Sequence, residues 1–148
     1  MRPLLIANWK MNPNNSKEAF DLASAVAKGV EGLEADVVLC PPFVYIPEIQ
    51  GLAYKLQATS YKLQVGAQDC FWEQKGAYTG EVSPLMLKNL GCSYVILGHS
   101  ERKRLGETLE QVAKKVQAAL AVSLIPVVCI GENVEREIVV KKADYVVP

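Results

Sequence analysis

The chain has 148 residues, half of them apolar, and its 16 Lys and Arg cancel its 16 Asp and Glu. That length and apolar share suit one compact domain with a sizeable core and exclude intrinsic disorder. Zero net charge gives no general attraction to nucleic acid or an anionic membrane, so neither is expected as a partner.

Short apolar runs alternate with helical patterns along the whole chain. Residues 4–7 form the first run, too short for the core of a signal peptide. Ser16 then reads as the N-cap of a helix whose stripe is Ala19, Leu22, Ala23, Val26, Val30 and Leu33. The second run is 37–40, followed by a helix carrying Ile46, Ile49, Leu52, Ala53 and Leu56, with Pro47 tolerable only near its start. The third run, 63–67, leads into a long glycine-containing loop. After that loop, Ser83-Pro84 reads as an N-cap and first-turn proline, with Gly91 as the stop. The fourth run is 94–97. Thr108 and Gln111 make a capping box for a helix with Leu109, Val112, Ala113, Val116, Ala119 and Leu120 on one side. The fifth run, 127–130, precedes a short helical pattern at 134–142, and 143–148 has room to start a sixth strand.

The runs begin at 4, 37, 63, 94 and 127, about one βαβ unit apart. They are continuous and rich in β-branched residues, the pattern of parallel strands covered on both faces. A single α/β domain over residues 1–148 follows. Strict alternation leaves two architectures, a doubly wound open sheet or part of a (β/α)8 barrel, and periodicity does not choose between them. In both, chemistry gathers beyond the C-terminal ends of the strands.

Lys10 stands just past the first strand, where it can aim a compact cation at a phosphate or a developing oxyanion. A solvated surface lysine is the competing reading. His99, the single histidine, follows Gly98 at the end of the fourth run, with Glu101 two residues on. A purely structural histidine competes there. The segment Gly76-Ala77-Tyr78-Thr79-Gly80-Glu81 reads as a glycine-hinged loop. Tyr54, Tyr61 and Tyr78 lack helical spacing and read as packing residues rather than a base-stacking platform. Cys40, Cys70, Cys92 and Cys129 form no CxxC pair, so neither zinc nor another metal is expected. Most lie in or beside apolar runs, as free thiols do, and a reducing, cytoplasmic setting is the simplest expectation. Cys129 reads as a structural thiol rather than a nucleophile.

In order and spacing, Asn8-Trp9-Lys10-Met11-Asn12, Cys40-Pro41-Pro42, Gly66-Ala67-Gln68-Asp69, Gly76-Ala77-Tyr78-Thr79-Gly80-Glu81-Val82-Ser83, Gly98-His99-Ser100-Glu101-Arg102, Gly106-Glu107-Thr108 and Cys129-Ile130-Gly131-Glu132 resemble the triosephosphate isomerase family. The resemblance runs from about residue 4 to 137, ending in Glu135-Arg136-Glu137. It implies an incomplete TIM (β/α)8 barrel of about five parallel βα units. The activity it implies is interconversion of dihydroxyacetone phosphate and glyceraldehyde 3-phosphate, in glycolysis and gluconeogenesis, with no metal or organic cofactor. By the same resemblance, Lys10 stabilises negative charge on substrate and intermediate, and Asn8 supports it. His99 donates to the substrate oxygens from a neutral ring at a helix start, and Glu101 contacts Lys10 when substrate is absent. Thr79 braces Asn8 and Lys10 of a neighbouring subunit, Glu81 and Arg102 are its partners at the same interface, and Glu107 and Cys129 hold structural positions near the site.

Two departures qualify that picture. Asp69 stands where the family more often has Asn. The Glu-Pro-Val-Trp segment with the catalytic glutamate, the mobile lid after it and the glycine-rich phosphate grip are not among these residues, whereas an eight-unit barrel takes roughly 250 residues. The chain alone is therefore expected to be inactive, with open edges at strands one and five. Three readings follow: a half-enzyme completed by a complementing C-terminal half, a self-associating homo-oligomer without catalysis, or a segment of a longer enzyme.

Overall fold

The computed structural model describes residues 3–57 and 63–130. The helix expected at 134–142, the strand start at 143–148, Tyr61, Gly131, Glu132 and Glu135-Arg136-Glu137 lie outside them. The described residues fall into two compact units. One extends to Gln68 and includes Leu90–Tyr94; the other takes Asp69–Asn89 and continues from Val95.

In the first unit, β1 (Leu4–Asn8), β2 (Asp36–Cys40) and β3 (Leu63–Ala67) alternate with α1 (Ser16–Gly29) and α2 (Ile46–Gln57). β1 and β2 are parallel, with Leu4 opposite Asp36 and Asn8 opposite Cys40. β2 and β3 are also parallel, with Val37 opposite Leu63. The N-cap of α1 is Asn15 rather than Ser16: its Oδ1 accepts the Glu18 N–H at 2.9 Å, and Ser16 is the first helical residue. The buried stripe of this helix is Ala19, Ala23 and Ala27. These small residues let α1 lie close against α2, while Leu22 and Leu33 of the expected stripe are exposed. Pro47 sits in the first turn of α2, where no intrahelical donor is lost.

The second unit carries α3 (Pro84–Asn89), α4 (Ser100–Arg104), α5 (Leu109–Ala121) and β5 (Ile125–Val128). Ser83 caps α3 by accepting the Met86 N–H at 3.1 Å. The capping box of α5 is formed in full between Thr108 and Gln111. Strand β5 begins two residues earlier than the apolar run suggests. Ser123 at φ 59° turns the chain between α5 and β5, and Cys129 continues the ladder by donating to the Leu97 carbonyl at 2.8 Å.

With β4 (Tyr94–Leu97), the strands form one sheet in the order β1-β2-β3-β4-β5. A doubly wound sheet permutes its strands around a switch point, whereas a (β/α)8 barrel adds each strand beside the last. The sequential order therefore identifies an incomplete TIM barrel of five parallel βα units. Burial on both faces holds for β2 and β3 but not for the end strands. Leu4 and Leu5 are 45% and 48% exposed, and Ile125 is 52% exposed, on end strands that have a neighbour on one side only among the described residues. No helix among the described residues is long and apolar enough to cross a membrane.

Candidate active site

The sequence-predicted residues divide between the two units. In the first, Asn8 ends β1 and Lys10 follows it by two residues. Lys10 adopts φ 55°, the left-handed region that a side chain bearing a Cβ seldom enters. Its backbone N–H donates to Asn8 Oδ1 at 2.9 Å, a local turn that ties the two residues together.

In the second unit, Gly98 closes β4 at φ 69°, and a Cβ there would stand 3.2 Å from the Cys129 carbonyl oxygen and from Val112 Cγ1. Only glycine makes this turn without strain, and the turn brings His99 to the N-cap of α4. Its Nδ1 accepts the Glu101 backbone N–H at 3.3 Å. A ring nitrogen that accepts carries no proton, so the neutral tautomer presented here has its hydrogen on Nε2. Glu101 Oε2 lies 3.5 Å from the same Nδ1, which could donate to it only with a hydrogen on that nitrogen. Because a backbone amide always bears its hydrogen, the accepting arrangement is the one the main chain supports.

Arg102, Glu107, Asp69 and Lys115 form a charge-balanced cluster. Lys115 Nζ donates to both carboxylate oxygens of Asp69, at 2.7 and 2.9 Å, and to Glu107 Oε1. Arg102 Nε lies 3.1 Å from Asp69 Oδ2 and 3.8 Å from Glu107 Oε1. The Lys115 side chain is only 4% exposed and that of Glu107 3%, so each charge depends on the others for solvation. Burial pushes the Asp69 carboxyl above its usual range, against the pull of Lys115 and Arg102. Glu107 Oε2 is buried without a hydrogen-bond partner, and Glu107 helps line a cavity of about 180 Å³ with Phe71, Trp72, Glu81 and Arg102. Asp69 is thus more than a minor replacement for Asn. Lys115 escaped the sequence reading altogether, although a lysine three residues after Val112 at the edge of a buried helical stripe was the signal.

Thr79 and Glu81 are exposed on the loop before α3. Two contacts shape that loop: the Glu81 N–H donates to the Tyr78 carbonyl at 3.1 Å, and the Tyr78 ring packs on Phe71 with centroids 4.7 Å apart. Tyr54, by contrast, is 69% exposed and packs little. All four cysteines are free thiols. Burial raises Cys40 and Cys70 to about 12 and Cys92 to about 11, and it raises Cys129 as well. None is poised as a thiolate, in line with a structural Cys129. Among the described residues, no group of three or more His, Cys, Asp or Glu is placed to hold a metal.

The family model described as triosephosphate isomerase matches residues 3–147. Triosephosphate isomerase from Thermoanaerobacter pseudethanolicus is 48% identical over 136 residues, which are 91% of this chain and 52% of that protein. The Moorella thermoacetica enzyme is 50% identical over 138 residues, 92% of this chain and 53% of its own length. Among solved structures, triosephosphate isomerase from Bartonella henselae aligns with a TM-score of 0.77 at 33% identity, covering 93% of this chain and 55% of that one. The chain spans about half the length of the curated relatives it matches. With five strands in barrel order and the matched motifs at their C-terminal ends, the chain belongs to the triosephosphate isomerase family.

Proposed function

We propose that this chain supplies the cation and the imidazole of a triose phosphate isomerase site and lacks, by itself, the base that the reaction needs. Lys10 and Asn8 receive the anionic substrate, and His99 donates from Nε2 to the carbonyl and hydroxyl oxygens as charge moves between them. The observation that carries this reading is the His99 geometry: Nδ1 is committed to the Glu101 backbone, so Nε2–H is the donor. A neutral histidine electrophile is already documented for triosephosphate isomerases. Glu101 holds Lys10 in the unliganded state. Thr79, Glu81 and Arg102 meet a second copy of the chain, with Thr79 bracing the partner's Asn8 and Lys10.

Abstraction of a carbon-bound proton needs a positioned base, which contributes about 10²- to 10⁴-fold in rate. A complementing C-terminal half carrying the remaining βα units brings that base, the lid and the phosphate grip. A coupled isomerase assay on the 148-residue chain is expected to show negligible turnover, and addition of such a half to restore it. Near-family turnover by the chain alone, abolished in Lys10→Ala, would defeat this reading. A second reading is favoured by the exposed Leu4 and Leu5 of β1: copies associate through sheet edges into a non-catalytic homo-oligomer. Under it, mixing with a C-terminal half restores nothing.

A further inference from the structure

The Gly66-Ala67-Gln68 segment has a physical task that its place in a motif does not state. A Cβ on Gly66 would lie 2.8 Å from Cys40 Sγ and 3.1 Å from Val38 Cγ1, so glycine lets β3 approach β2 closely at this level. Two residues on, at the end of β3, the Gln68 side chain reaches over the C-terminal ends of its neighbours. Its Nε2 donates to the Lys10 carbonyl at 2.7 Å and to the Cys40 carbonyl at 2.9 Å. The Cys40 carbonyl also accepts the Trp9 N–H at 3.1 Å, so Gln68 joins the point where the β1–β2 ladder ends to the residue just after it. Both hydrogens of one amide are spent on main-chain oxygens from two different strand ends.

Lys10 is the residue whose backbone needs such help. A non-glycine residue in the left-handed region is disfavoured and persists only where its surroundings hold it. Asn8 holds its N–H and Gln68 holds its carbonyl, so the peptide units on either side of Cα are fixed and the direction of the side chain is fixed with them.

We infer that Gln68 is a positioning residue for Lys10: its amide locks the left-handed backbone that aims the Lys10 ammonium. This rests on the assignment of Lys10 as the substrate-facing cation. Lys10→Ala tests the charge, whereas Gln68 variants test its placement, so the two can fail separately. Gln68→Met keeps length and removes both donors. Gln68→Glu removes them at neutral pH and returns one when the introduced carboxyl is protonated. That carboxyl faces the Lys10 and Cys40 carbonyls, and the adjoining charge in its own segment is Asp69.

The test is NMR on the full chain, reading the Lys10 Cα and Cβ shifts, which report its backbone region. Loss of one hydrogen bond lowers the equilibrium constant that favours the left-handed region about fivefold. In Gln68→Met the Lys10 shifts are expected to move towards random-coil values while the remaining spectrum keeps its dispersion. In Gln68→Glu they move likewise at pH 8 and return towards the parent values as the pH falls through the ordinary glutamate range, about 4.3. A purely structural role would give no such return. If Gln68→Met does not fold, the pH series on Gln68→Glu decides alone. Lys10 shifts that ignore both substitutions, or that do not respond to pH in Gln68→Glu, overturn the inference.

Discussion

At the scale of single residues, burial decides more than identity. Lys115 and Asp69 would be ordinary surface charges in water, yet here each is almost enclosed and satisfied by the other. Removing one partner strands the other: Asp69→Leu and Lys115→Met are each expected to cost about 3 kcal/mol, and the double variant Asp69→Leu/Lys115→Met less than their sum. Urea denaturation of the three proteins measures this. The Asp69 carboxyl, raised mainly by burial, also sets a pH dependence. A carboxyl raised in the folded state binds its proton more tightly there than in the unfolded chain. Its contribution to stability is therefore fully present below the ordinary carboxylate range and lost as pH rises through the folded value. Subtracting the urea midpoints of Asp69→Asn from those of the parent, pH by pH, should leave a difference that turns against the parent with rising pH over that window. A flat difference would show that Asp69 titrates alike in both states.

At the scale of elements, local chemistry set most boundaries, and neighbours set the rest. The capping box of α5 and the Ser83 cap of α3 formed where the residues placed them, because each is a contact within one turn. Strand β5 shifted by two residues, since its limits depend on where β4 offers partners and not on where the apolar run begins. The α1 stripe narrowed to three alanines because helix packing favours close approach over the number of apolar residues. Close approach also governs β3. Gly66→Ala puts a methyl group against Cys40 Sγ, Val38 and the Tyr94 carbonyl, an overpacking expected to cost about 2 kcal/mol. A thermal melt of this variant with no change in midpoint would mean that the strands yield more readily than their packing suggests.

At the scale of the whole molecule, the two ends of the sheet carry the consequence. Leu4 and Leu5 of β1 and Ile125 of β5 present apolar side chains on strands that, among the described residues, have one open edge. Analytical ultracentrifugation of the chain alone is expected to give a concentration-dependent mass above 16.2 kDa. The double variant Leu4→Lys/Leu5→Lys should shift it towards the monomer by placing charge on that edge. A monomer at every concentration would remove self-association from consideration. A complementing C-terminal half, or continuation of the same chain in a longer enzyme, would then be the routes to a covered edge.

The sequence by itself determined the alternation of strands and helices, the family, and the place of Asn8, Lys10 and His99 at strand ends, because periodicity, caps and motif spacing are local or ordered along the chain. Periodicity left a barrel and a doubly wound sheet open, the family resemblance implied the barrel, and the strand order of the tertiary structure showed it, since that order is a property of neighbours distant in sequence. Only the tertiary structure revealed the Asp69–Lys115 pair, 46 residues apart, and the reach of Gln68 across 58 residues to Lys10. Side-chain contacts of that kind exist only once the strands lie side by side.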